Sequence, residues 1–207
     1  MEKLVSFLIG LIWVCGALVL IVIIAAVIHS KSMKKSASKL LAESDRGADT
    51  IYKLLRTAFP ASRIIKQAVF SLSSGGRAMS DLILVDSGGV FVIRIKTFPG
   101  KIDNSNRAVW TVTNSKGLGE FPNPFEQNKY AVTAVNDLLQ LESLYNVPKH
   151  NIVVFSHKKV AFKINSEKLL TAERLIDAIK DLNRNRFLTG KEINATINAI
   201  KTHSTHR

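Results

Sequence analysis

Residues Asp81-Leu-Ile-Leu-Val-Asp-Ser-Gly-Gly-Val-Phe-Val-Ile-Arg-Ile-Lys96 carry the reading of this chain. Leu82–Val85 and Val90–Ile95 are rich in Val, Ile and Leu. Between them lies Asp86-Ser-Gly-Gly89, the composition of a hairpin turn. The two runs predict a pair of antiparallel strands at the centre of a sheet. An aspartate opens the pair and a lysine closes it. Arg94 and Lys96 are two apart on one strand, so their side chains should share a face.

Working outward, the flanking segments alternate helical and strand patterns. Leu41, Ile51, Leu54 and Leu55 predict a helix over 45–59, stopped by Pro60. Residues 63–71 and 108–113 read as strands, and residues 73–77 and Phe98-Pro-Gly100 as breaks. Asn123-Pro-Phe-Glu126 has an N-cap residue, proline at the first helical position and glutamate at the third, which predicts a helix running to about residue 144. Residues 151–156 and 160–164 read as strands, and 171–182 as a helix. Thr189-Gly-Lys-Glu192 is a second capping box, opening a helix that reaches about Lys201. Residues 202–207 are expected to fray. The order of elements is that of an α/β domain with a central mixed sheet flanked by helices.

The start of the chain is of another kind. Leu4 to Ile28 is 25 residues long and uncharged. As a helix it would extend about 37 Å, enough to cross the ~30 Å hydrocarbon core with some tilt. A cleaved signal peptide usually carries an apolar stretch of only about 7–15 residues, so a transmembrane helix over residues 1–28 is the expectation. Lys31, Lys34, Lys35 and Lys39 follow in a basic linker, residues 29–44. By the positive-inside rule the N-terminus faces out and the folded domain faces the cytosol.

The formal net charge is +13. Glu2 and Lys3 cancel, so the excess lies beyond the apolar run. Such a surface suits polyanions, either nucleic acid or anionic lipid headgroups. Cys15 is the one cysteine, which excludes an internal disulfide framework and a cysteine-based zinc site.

Four segments resemble the nuclease-related domain, NERD, a branch of the PD-(D/E)xK nuclease superfamily. Gly47-Ala-Asp49 with Ile51 and Leu54-Leu55 is similar to the family's opening Gly-Glu helix. Ser80-Asp81 with its apolar run is similar to the aspartate-then-strand element. Gly89 to Lys96 resembles the Gly-Val-Phe-Val-Ile-Glu-x-Lys strand, and Asn123-Pro-Phe-Glu-Gln127 the Asn-Pro-x-x-Gln helix start. The resemblance places the domain at residues 45–165, followed by a helical extension and basic tail over 166–207. It implies a restriction-endonuclease-like core. It also implies catalytic roles for Asp81 and Lys96, with Asp81 and Asp49 as ligands of Mg²⁺ or Mn²⁺ if the protein is active. A phosphodiester cut needs such a cation to polarise the phosphoryl oxygens.

Arg94 departs from that pattern, for it stands where the strand glutamate belongs. At ~4 Å and an effective dielectric near 20, one like-charge contact costs about 4 kcal/mol, and a divalent ion would feel roughly twice that. The expectation is therefore a site converted from metal binding to anion binding, with no cofactor and weak or absent catalysis. Arg94, Lys96, Gln127 and Arg77 would hold nucleic acid. Simpler roles compete. Asp81 can be a strand-end acceptor, Arg94 can pair with Asp81 or Asp49, Asn123 can be a helix cap, and Trp110 can be core. Two further functions stay open. One is an active nuclease with a relocated acid, Asp86 or Asp103 being nearest in sequence. The other is a non-catalytic scaffold at the membrane. Protein partners are not indicated, and His203 and His206 are expected to be idle.

Overall fold

A computed structural model describes residues 46–72, 75–115, 117–185 and 187–206. The apolar segment over residues 4–28 and the basic linker lie outside the described residues. Among those described, no helix is long and apolar enough to cross a membrane.

The central hairpin forms as the sequence predicts. Strand β2 (Arg77–Asp86) pairs antiparallel with β3 (Gly89–Lys96), from Asp86 opposite Gly89 to Leu82 opposite Ile93. On one side β1 (Ile64–Ser71) adds antiparallel to β2. On the other, β7 (Lys149–Phe155) runs parallel to β3, and β9 (Leu169–Thr171) parallel to β7. The short β10 (Thr205–His206) closes the β1 edge, giving the order β10-β1-β2-β3-β7-β9. Leu82–Val85 and Val90–Ile93 are fully buried. A strand covered on both faces reads as a continuous apolar run, and this one does.

Helices cover both faces. Helix α1, described over 46–55, and α3 (Ala172–Leu182) pack on the face that carries Leu82, Leu84, Phe91, Ile93 and Ile95. Helices α2 (Pro124–Leu141) and α4 (Gly190–Thr202) cover the face of Ile83, Val85, Val90 and Val92. Residues 166–207 thus supply both edge strands and one helix on each face. A second sheet, ordered β6-β5-β4-β8, is built from β4 (Gly100–Asp103), β5 (Val109–Asn114), β6 (Gly117–Pro122) and β8 (Val160–Phe162). Its core holds Trp110, Phe155 and Ile102, with Phe98, Phe121 and Phe125 packed against them.

Both caps form, but only the second is the reciprocal box expected of both. Thr189 and Glu192 bond each other, whereas the Asn123 side chain accepts from the Phe125 amide, two residues on rather than three. Two expectations fail at the C-terminus. Residues 205–206 do not fray, because β1 offers an unpaired edge to which they hydrogen-bond, at Ala68 and Val69. His203 is not idle either, for its Nε2 lies 2.7 Å from Glu142 Oε1 just beyond α2.

The hairpin turn is not a surface turn. The Gly88 amide donates to Asn183 Oδ1 at 2.8 Å, and Asn183 Nδ2 donates to Asp86 Oδ2 at 2.9 Å. Arg63 pairs with the other Asp86 oxygen. Asp86 therefore fastens the turn to the C-terminus of α3. It lies at the far end of β2 from Asp81, about 16 Å away at ~3.3 Å per residue.

Candidate functional site

The alternation of β1 and β2 changes phase midway. Ile65 shares a core with Ala68 and Phe70, and Ala78 shares it with Ile83 and Val85. Regular alternation would put each odd-spaced pair on opposite faces. The phase change brackets Gln67, in the left-handed region with φ 49°, and Asp81. These two residues sit between the register pairs Lys66–Leu82 and Ala68–Ser80. Beyond Leu82, β2 leaves β3, whose residues Arg94–Lys96 continue to pair only with β7.

Asp81 fills the gap. Its Oδ2 accepts the Ile95 backbone N–H at 2.6 Å, replacing an acceptor that the departing strand no longer offers. Its Oδ1 lies 3.4 Å from Arg94 Nη1. Both side chains are only 19% exposed, so each would be costly without the other. Arg94 Nη2 donates to the Met79 carbonyl at 2.6 Å. Its Nε is buried without a hydrogen-bond partner among the described residues, an omission that typically costs about 1–3 kcal/mol.

Lys96 extends toward α2. Its Nζ donates to Gln127 Oε1 at 3.1 Å and lies 5.9 Å from the centre of the Phe121 ring. The neighbouring Asn128, fully buried, ties this first turn of α2 to the sheet through the Val92 carbonyl and Asn151 Oδ1, each at 2.8 Å. Asn128 thereby places Gln127 against Lys96. Nothing in the linear sequence singled it out, since its partners are far along the chain.

Burial pushes the Lys96 ammonium below the usual lysine range. The Arg94 charge adds to the shift, and Asp81 opposes it. A lowered folded pKa means that the charged form is the less stable one in the fold. That penalty is full below the folded pKa and disappears as pH rises through it toward the ordinary lysine value. Lys96→Met is therefore expected to raise the unfolding temperature at neutral pH, with the gain shrinking in alkaline buffer. Thermal unfolding across pH tests this; a gain that grows with pH contradicts it.

The remaining sequence candidates lie as follows. Asp49 accepts Lys66 Nζ at 2.6 Å on the α1 side, and that bond holds its carboxyl below the usual range. Arg77 is exposed at the start of β2. Asp103 in the second sheet accepts Lys163 at 2.7 Å and the Ser105 hydroxyl, bonds that bring its pKa to about 2. Among the described residues no group of three or more His, Cys, Asp or Glu converges as a metal-ligand set. Trp110 is buried beside Phe121 and Phe125 as core.

The first described turn of α1 passes over the ends of β3 and β7. A Cβ on Gly47 would come within 2.0 Å of Thr97 Cγ2 and 3.3 Å of Ser156 Oγ. The glycine that opens the family-like helix is thus a close-approach residue. It lets α1 pack against Thr97 and Ser156, while Lys96, the preceding residue, reaches α2 on the other face.

A family model described as the nuclease-related domain matches residues 42–156, more than half of the 207-residue chain. No curated protein matches significantly, and no solved structure does. The matched segment holds the hairpin, Asp81, Lys96 and the Asn123-capped helix, and the chain belongs to the nuclease-related domain family.

Proposed function

We propose that this family member binds nucleic acid through a site that no longer holds a catalytic metal. We place it at the inner face of a membrane, anchored by the segment over residues 4–28. The reading rests chiefly on the state of Asp81: one carboxylate oxygen takes a backbone amide and the other faces Arg94. Mg²⁺ needs near-octahedral oxygen donors, usually including one or two carboxylates. Here the expected second carboxylate is a guanidinium, and an ammonium lies on the same strand face. Those residues do not fit the ion.

An active enzyme with a relocated acid has little support. Asp86 is occupied by Arg63 and Asn183, Asp103 by Lys163, and Asp49 by Lys66. What the cluster offers is positive charge. Arg94 and Lys96 together outweigh Asp81, and a bound phosphate would compete with Asp81, the Met79 carbonyl and Gln127 for their donors. Contacts of that kind position a phosphate backbone and carry no base specificity. The +13 charge and the basic flank after the apolar segment are consistent with an anionic partner, and with a cytosolic domain held near the bilayer.

The test is salt-dependent binding of labelled DNA and RNA to the full-length chain in neutral detergent. Arg94→Gln with Lys96→Gln is expected to weaken binding about tenfold or more at low salt. It should also reduce the slope of log K against log salt by about two, one per lost phosphate contact. Unchanged affinity in a folded double variant rejects the reading. Binding to anionic liposomes without binding to nucleic acid would redirect it to a membrane scaffold.

A further inference from the structure

On the α1 side of the sheet lies an open surface hollow of about 570 Å³, lined by Asp49, Tyr52, Lys53, Arg56, Thr57 and Lys66. Three of these six residues are cations and one is an acid. Asp49 is already bonded by Lys66, whose Nζ also lies 4.7 Å from the centre of the Tyr52 ring. Lys53 on α1 and Arg56, in the turn just past its end, are exposed. The Arg56 amide still donates to the Tyr52 carbonyl at 3.0 Å, so the two lie on one side of the segment. Cations near a helix C-terminus gain from its dipole, which accounts for a charge here but not for a concave surface around several. The lining carries a net positive charge, which raises the local concentration of anions.

The hollow is large enough for a nucleotide unit and shallow, open to solvent over most of its extent. It therefore suits part of an extended polymer better than an engulfed metabolite. Tyr52, half-buried at its wall, offers a ring and a hydroxyl beside the cations. The hollow lies on the α1 face, where Lys66 sits opposite Leu82, whereas Lys96 reaches Gln127 of α2 on the other face. One strand would touch both by passing round the end of the sheet where β2 leaves β3.

We propose that this hollow is a second phosphate-binding subsite, in which Lys53 and Arg56 hold a backbone phosphate of the nucleic-acid strand that Arg94 and Lys96 also contact. The inference rests on the nucleic-acid reading above, and two separate variants keep the two ideas apart. Lys53→Gln with Arg56→Gln changes only exposed side chains, so circular dichroism and the unfolding temperature should match the wild type. Binding of a labelled single-stranded DNA oligonucleotide and of its duplex is then measured against salt, using the full-length chain in neutral detergent.

The expected result is about tenfold weaker binding at low salt for at least one probe, with a salt slope smaller by about two. If this variant binds like the wild type while Arg94→Gln with Lys96→Gln weakens binding, the hollow is not a subsite and the Arg94–Lys96 reading stands. If only the hollow variant weakens binding, the subsite stands and the Arg94–Lys96 reading falls. A wild type that binds neither probe overturns both.

Discussion

Arg94→Glu is expected to make the protein responsive to magnesium. In the variant a carboxylate stands beside Asp81 and two residues before Lys96, at the strand position where the resemblance implies a metal-binding glutamate. The local charge changes by two units. At ~4 Å and an effective dielectric near 20, each unit pair is worth about 4 kcal/mol, and the ion is divalent. Even after most of this is lost to desolvation, affinity for Mg²⁺ or Mn²⁺ should rise on the order of 100-fold.

The metal-free variant has the opposite problem. Asp81 loses its guanidinium partner, the Met79 carbonyl loses its donor, and two carboxylates face each other in a largely buried place. Destabilisation of about 3 kcal/mol follows from breaking such a pair. Thermal unfolding with and without millimolar Mg²⁺ gives the test. The variant should melt well below the wild type and recover when the ion is added, while the wild type should not respond. A wild type stabilised by Mg²⁺, or hydrolysing DNA in an Asp81-dependent way, would end the argument that Arg94 excludes the ion.

The second large effect concerns the fold. Gly89→Ala should cost about 3–4 kcal/mol. Gly89 has φ +123°, where an L side chain is strained by roughly 1–3 kcal/mol. A Cβ there would also lie 2.3 Å from the Pro148 carbonyl oxygen, which accepts the Val90 amide where β3 and β7 begin their parallel pairing. Relief requires moving that backbone. For a domain of this size, each kcal/mol lowers the unfolding temperature by about 2–4 °C, so a fall of about 10 °C is expected. Gly117→Ala is the control. Its φ is +112°, but nothing lies within 4 Å of the added atom. It should lose only the strain, a third or so of the Gly89 effect. Equal losses for the two would mean that the contact with Pro148 is unimportant.

Much of the fold was legible from local pattern. Strands buried on both faces announce themselves as unbroken Val, Ile and Leu runs, and β2, β3 and β7 are of that kind. Caps are also local: Asn123 acts two residues away, and Thr189 three. The short strands β4, β6, β9 and β10 were not legible. Each has six residues or fewer and little apolar patterning, and is a strand because a neighbour offers an edge. Gly117–Pro122 shows the point, since GLGEFP is a poor strand sequence stabilised by pairing with Val109–Asn114.

By itself, the sequence established the family-like order of motifs, the central hairpin, the excess of positive charge and an arginine at residue 94, where the resemblance implies an acid. Those are properties of residue identity and short spacing. Only the tertiary structure decided what Asp81 does, because its partners, Ile95 and Arg94, reach it where β2 departs from β3. It likewise joined Lys96 to Gln127 across 31 positions, and gave Asp49 to Lys66. Such pairings depend on where strands part and where helices cross. Packing over long separations sets those geometries, and no local pattern encodes them.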